Sequence, residues 1–205
     1  LVRKLEAWEK ESKAGGAAAM PVPNQNSAAE LEKQFKAQPT NFQVGFNLAM
    51  VYLQMQKTDK ALEVLDQIAA DPQAEAAAYR VLFQAYSSIG NMDRVRSLVQ
   101  KLEARYKQNP DALEDAMALA EGYRMTQQED KVEALMEATL KHPKASGNMV
   151  LQVATHYAAA TNYPKLEEAL TRLVEVSPNS AEAWYDYAAL KGALEGFNTL
   201  LVAAK

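Results

Sequence analysis

The sequence contains no cysteine and only two histidines. Without thiols there is no disulfide, no thiolate metal site and no cysteine nucleophile to consider. His142 and His156 lie far apart, neither with a partner at the i+4 spacing of a helical ligand pair, so no metal site is expected. Basic residues are scattered among a slight excess of acidic ones, giving a formal net charge of −4. The electrostatic footprint of a nucleic-acid binder is therefore missing. No run approaches the roughly 18 apolar residues of a membrane span. The one glycine pair, Gly15-Gly16, is not followed by the Lys-Ser or Lys-Thr of a phosphate loop. Ser87-Ser88 has no base in view, and the pairs Glu129-Asp130 and Glu167-Glu168 suit helix starts and exposed faces better than acid and base work. The expectation is a chain that is no enzyme and has no cofactor. The lack of cysteine, with Leu rather than Met at position 1, points to a bacterial protein of the periplasm or of the outer face of a membrane, its leader or anchor lying upstream.

What is present is a period. Tyr52, Tyr86, Tyr123 and Tyr157 follow one another at steps of 34, 37 and 34 residues, and nine residues after each comes Ala61, Val95, Val132 or Leu166. Prolines 39, 72, 110, 143 and 178 punctuate the same rhythm, each removing a backbone donor and ending a helix. Such self-similarity marks a repeat architecture. The apolar spacing predicts helices over about 41–55 and 58–70, 73–89 and 92–108, 111–125 and 129–142, and 145–160 and 163–176. The 37-residue step is absorbed by an extra turn in the helix carrying Val95, Leu98, Val99, Leu102 and Tyr106. A fifth pair is expected to start at Asn179 as N-cap, with Glu182 at the capping-box position, and to resume near Phe197. Ahead of the period, Ser27 and Glu30 have capping-box spacing for a helix reaching Gln38. Residues 1–26 read as a separate segment: a short amphipathic stretch with Leu1, Val2, Leu5 and Trp8 on one side, then a flexible linker from Ala14.

Tyr79, Leu82, Tyr86, Gly90, Val95, Val99 and Leu102 in one repeat, Ala116, Leu119, Ala120, Tyr123, Val132, Met136 and Pro143 in the next, and Val150, Val153, Ala154, Tyr157, Leu166, Leu170 and Pro178 in a third resemble the tetratricopeptide repeat (TPR) family. The likeness runs from Ser27 to Lys205. Other helical-hairpin solenoids, Sel1-like and HEAT among them, share such spacing, but the period of 34, the tyrosine and the closing proline favour this family. Three departures stand out. Gly90 is the only turn glycine, Phe83 replaces the signature small residue, and Lys191 stands where a tyrosine belongs, so the last repeat is expected to act in part as an end cap.

The resemblance implies an all-α fold, a right-handed α-α superhelical solenoid of about five hairpins over residues 27–205, preceded by an N-terminal helix and linker. It implies a concave groove lined by the first helix of each pair, where a partner's peptide or helical segment lies. Carried onto this chain, the groove residues are Phe46, Met50, Arg80, Gln84, Met117, Glu121, Arg124, Leu151, Thr155 and Tyr185. Members that grip acidic chaperone tails use basic and amide residues that Phe46 and Met50 replace around Asn47, so that clamp is not expected here. Exposed Phe46, Met50 and Met117 suit an apolar or amphipathic segment. The competing reading has Phe46, Met50 and Leu53 contacting the preceding helix, Ser27 to Gln38, or the N-terminal helix folded back. Tyr157, Leu166, Leu170 and Trp184 are assigned to packing between hairpins, His142 to a helix C-terminus, and His156 to packing or surface. The implied function is a non-catalytic protein-interaction scaffold. The alternatives are a structural subunit of a larger assembly, one anchored to a membrane included, or the scaffolding fragment of a larger enzyme.

Overall fold

A computed structural model describes residues 25–181 and 183–192. The N-terminal amphipathic stretch, the linker up to Asn24, Glu182 and the helix expected near Phe197 lie outside the described residues. Packing divides the chain into two compact units, 1–82 and 83–205.

All described regular structure is helical. In the first unit, α1 (Gln25–Ala37), α2 (Phe42–Gln54) and α3 (Thr58–Ala70) precede the start of α4 (Ala76–Ser88). The second unit holds the end of α4, then α5 (Met92–Gln108), α6 (Leu113–Met125), α7 (Glu129–Lys141), α8 (Gly147–Ala159) and α9 (Tyr163–Val176). A further helical stretch covers 183–192.

Two kinds of joint alternate, and local chemistry accounts for both. Within each hairpin the first helix ends in a residue of left-handed backbone: Gln56 (φ 60), Gly90 (φ 79), Gln127 (φ 60) and Thr161 (φ 53). There the next amide reaches back to the repeat tyrosine's carbonyl: Lys57 to Tyr52 (2.8 Å), Asn91 to Tyr86 (2.8 Å), Gln128 to Tyr123 (2.9 Å) and Asn162 to Tyr157 (3.0 Å). This is the Schellman arrangement, which satisfies carbonyls orphaned at a helix end. Only Gly90 adopts that backbone without a Cβ penalty. Between hairpins a proline sits second in a turn closed from first carbonyl to fourth amide. Asn41 donates to Gln38, Ala74 to Asp71, Ala112 to Asn109, Ala145 to His142 and Ser180 to Ser177. Proline favours that position because its ring presets φ.

These turns correct several boundaries. α4, α6 and α8 begin two or three residues later than the apolar pattern suggests, because the fourth turn residue must complete its hydrogen bond first. At the fifth proline the same geometry leaves Asn179 inside the turn, and Ser180 Oγ, not Asn179, accepts from the Ala183 amide (3.2 Å). Ser27 lies inside α1, which starts at Gln25, so it is not an N-cap. Asn41, Asn91 and Asn162 do cap α2, α5 and α9, accepting from Val44, Arg94 and Lys165.

Each unit has its own core. In the first, Phe35, Leu48, Ala49, Tyr52, Ala61, Leu65 and Ile68 are buried. Gly45 lets α1 and α3 close on α2, since a Cβ there would lie 2.6 Å from the Phe35 ring and 2.9 Å from Ile68 Cδ1. In the second, Phe83, Val95, Val99, Leu102, Leu119, Val132, Val150 and Tyr157 are buried. The large Phe83 fits because α6 presents Gly122, where a Cβ would come within 2.6 Å of its Cζ. Trp184 departs from its assigned packing role and is half exposed, its Nε1 donating to the Pro178 carbonyl (2.9 Å). Among the described residues no helix follows 183–192 to cover it.

Candidate functional site

Helix α6 carries Met117, Glu121 and Arg124 at spacings of four and three, which places them along one face. Helix α8 carries Leu151 and Thr155 four apart, with Gln152, His156 and Ala159 beside them. The 13-residue length of α6, α7 and α8 and their tight joints set α6 and α8 side by side over α7. The result is a groove of about 440 Å³ in the second unit, lined by Met117, Ala120, Glu121, Arg124, Leu151, Gln152, Thr155, His156 and Ala159, with Met136 of α7 beneath. That volume accommodates one or two side chains of a peptide, within the range of roughly 300–1,000 Å³ common for ligand sites.

Five of the ten residues assigned to a groove, Met117, Glu121, Arg124, Leu151 and Thr155, meet here. Met117 is not exposed as expected: it is buried, because α6 is covered on nearly all sides, with Leu113 and Ala116 through Ala120 buried as well. It forms floor, not rim. The other five stand elsewhere. Phe46 and Met50 are half-buried on α2 and Arg80 is half-buried on α4, all in the first unit; Gln84 is exposed on α4, and Tyr185 is exposed on the last helical stretch.

The polar side of the groove is a chain of three groups from three helices. Arg124 Nη2 lies 3.5 Å from His156 Nδ1, and His156 Nε2 lies 3.3 Å from Glu133 Oε2 of α7. A guanidinium only donates and a carboxylate only accepts, so a ring that bridges the two accepts at Nδ1 and donates from Nε2. Arg124 itself is exposed and pairs with no carboxylate among the described residues. Tyr157 follows His156 with ring centroids 5.2 Å apart. Burial raises its hydroxyl pKa above the ordinary 10.0, and the negative charge of Glu133 adds to the effect. Among the described residues no cluster of three or more His, Asp or Glu is placed to hold a metal ion, and no helix is long and apolar enough to cross a membrane.

His156 and Met136 were not among the assigned groove residues. Alternation with Thr155 could have flagged His156, but its contact with Glu133 depends on how α7 and α8 are rotated. A second missed pattern was readable. A carboxylate 20 residues before the repeat tyrosine and a lysine 8 after it recur as Glu32, Tyr52 and Lys60 in the first unit and Glu103, Tyr123 and Lys131 in the second. The Tyr52 hydroxyl donates to Glu32 and Lys60 Nζ sits 5.5 Å from the ring centre. Lys131 Nζ is 4.8 Å from the Tyr123 ring and 3.6 Å from Glu103. His142 caps the end of α7 as expected, and its Nδ1 accepts from the Lys144 amide (3.2 Å).

No family model matches the chain, and no curated protein matches it by sequence. Among solved structures it is similar to a thermophilic TPR protein of Thermus thermophilus, with a TM-score of 0.52 and 18% identity over 80% of this chain and 88% of that one. The structure of MamA aligns at a TM-score of 0.47 and 18% identity, over 76% of this chain and 89% of its own.

Proposed function

The chain has the tetratricopeptide-repeat fold, and on that premise we propose that it is a non-catalytic scaffold binding a segment of a partner protein along the groove between α6 and α8. The observation that carries the reading is the groove itself, an apolar slot between Met117, Met136 and Leu151 with the exposed Arg124 at its edge. Leu151 is 44% exposed on a helix whose Val150 and Val153 are fully buried, so it faces the groove side. The charge pattern selects the occupant: a peptide or helical segment that places an apolar side chain over Leu151 and an acidic one beside Arg124. Methionines on the floor adapt to side chains of different shape.

The test places a photo-crosslinking residue at Thr155 and, as a control, at Glu175 on α9, and identifies the captured peptide by mass spectrometry. That peptide is then synthesised and its affinity measured. Leu151→Glu and Arg124→Glu are each expected to weaken it by at least about tenfold, the cost of one contact of about 1.4 kcal/mol. Equal capture at both positions, or unchanged affinity in both variants, counts against a groove ligand.

A further inference from the structure

Resting on the reading of this groove as a ligand site, we infer that His156 is a proton-controlled latch on Arg124. Neutral His156 accepts from Arg124 through Nδ1 and donates to Glu133 through Nε2, so one ring holds the guanidinium and the carboxylate at once. When the ring takes up a proton, Nδ1 becomes a donor and its acceptor lone pair is gone. Two donors, both cationic, then face each other at 3.5 Å. Glu133 keeps the imidazolium in place, so Arg124, the exposed member, is the one that moves. The ring is well placed for this role, since its side chain is 13% exposed and both nitrogens are engaged.

Other titratable groups surround these three, the Tyr157 hydroxyl beside Glu133 among them. From α6 the groove receives Glu121 as well as Arg124. From α7 Glu133 faces the ring, while Glu137 is committed to Lys165 of α9, which also pairs with Glu168. In the protonated state the groove therefore carries one more positive charge and a guanidinium free to meet a ligand carboxylate. Acidic segments bind more tightly as pH falls.

The experiment needs no known partner. Side-chain NMR follows the His156 ring and the Arg124 Nε–Hε signal over about pH 5 to 8, the range in which an imidazole takes up its proton. The expected result is one shared midpoint in the wild type and a flat Arg124 signal in His156→Gln. An Arg124 signal that ignores His156 titration, or follows the same course in the variant, overturns the latch. An acetylated, amidated Leu-Leu-Asp-Glu peptide serves as the binding probe. Its affinity is expected to rise at least about threefold between about pH 7.5 and 5.5 in the wild type and to stay level in His156→Gln. Level affinity in the wild type refutes the consequence for binding. Failure of the peptide to bind at either pH, with the two signals still coupled, sinks the groove reading and leaves the latch standing.

Discussion

Replacing Gly122 by alanine tests whether close packing, not helix preference, governs the second unit. A Cβ at this position would lie 2.6 Å from Phe83 Cζ, 2.8 Å from Val99 Cγ2 and 3.0 Å from Phe83 Cε2. Carbon atoms in ordinary contact stay about 3.5–4.0 Å apart, so the Phe83 ring must withdraw by about 1 Å. It has nowhere to go, being fully buried, with Val99 almost so. Overpacking of this kind costs about 1–3 kcal/mol. Alanine's better helix propensity returns about 1 kcal/mol. The expected net change is a loss of up to about 2 kcal/mol, read as a lower urea midpoint at unchanged slope in denaturation followed by circular dichroism. The companion variant Phe83→Leu opens a cavity alone but makes room for the new methyl, so the double variant is expected to recover about 1 kcal/mol relative to additivity. A Gly122→Ala protein more stable than the wild type by the full helix-propensity gain of about 1 kcal/mol, or strict additivity in the cycle, would refute the argument from packing.

The hairpin joints and the buried tyrosines supply two more tests. Thr161, β-branched at φ 53, pays a penalty that Gly90 at φ 79 escapes. Thr161→Gly is therefore expected to stabilise by about 0.5–1 kcal/mol after the greater freedom of the unfolded glycine is counted, and Gly90→Ala to destabilise by about 1 kcal/mol. Thermal melts that shift both variants in one direction would contradict this. The Tyr52 hydroxyl, raised from 10.0 to about 12 by burial and then by Glu32, stays protonated in the folded state after the unfolded chain has ionised. Stability is thus fully present below pH 10 and is lost as pH rises toward about 12. Tyr52→Phe is expected to make that alkaline limb shallower in denaturation at stepped pH, the raised Tyr123 and Tyr157 hydroxyls keeping part of it, and an unchanged limb would count against the assignment.

The periodic parts of the fold were legible because their signals are local. α3, α5 and α9 fall on the residues expected from the apolar pattern, for a tight joint precedes each and Asn91 and Asn162 mark the starts of the latter two. The first helices were harder, since the proline turns occupy residues such as Ala74 and Ala112 that the apolar pattern alone counts as helix. The groove was half legible. The face of α6 and the face of α8 follow from helical geometry, but the burial of Met117 depends on how closely α7 and α8 approach, and the bridge through His156 depends on their relative rotation. Phe83 looked like a misfit within its own repeat. Its complement, Gly122, lies in the next one, so a position-by-position match to a repeat pattern could not reveal the pair.

The proline turns between hairpins close on their own backbone. First carbonyl meets fourth amide at Gln38, Asp71, Asn109, His142 and Ser177, whatever side chains those residues carry. Each hairpin thus begins and ends on a joint whose hydrogen bond is independent of its neighbours' identity. A cut there severs one covalent link and leaves no helix interrupted. Such a joint is a natural splice point: a gene can gain, lose or exchange a whole hairpin there while every backbone partner is kept, and only the side chains facing the new neighbour must be relearned.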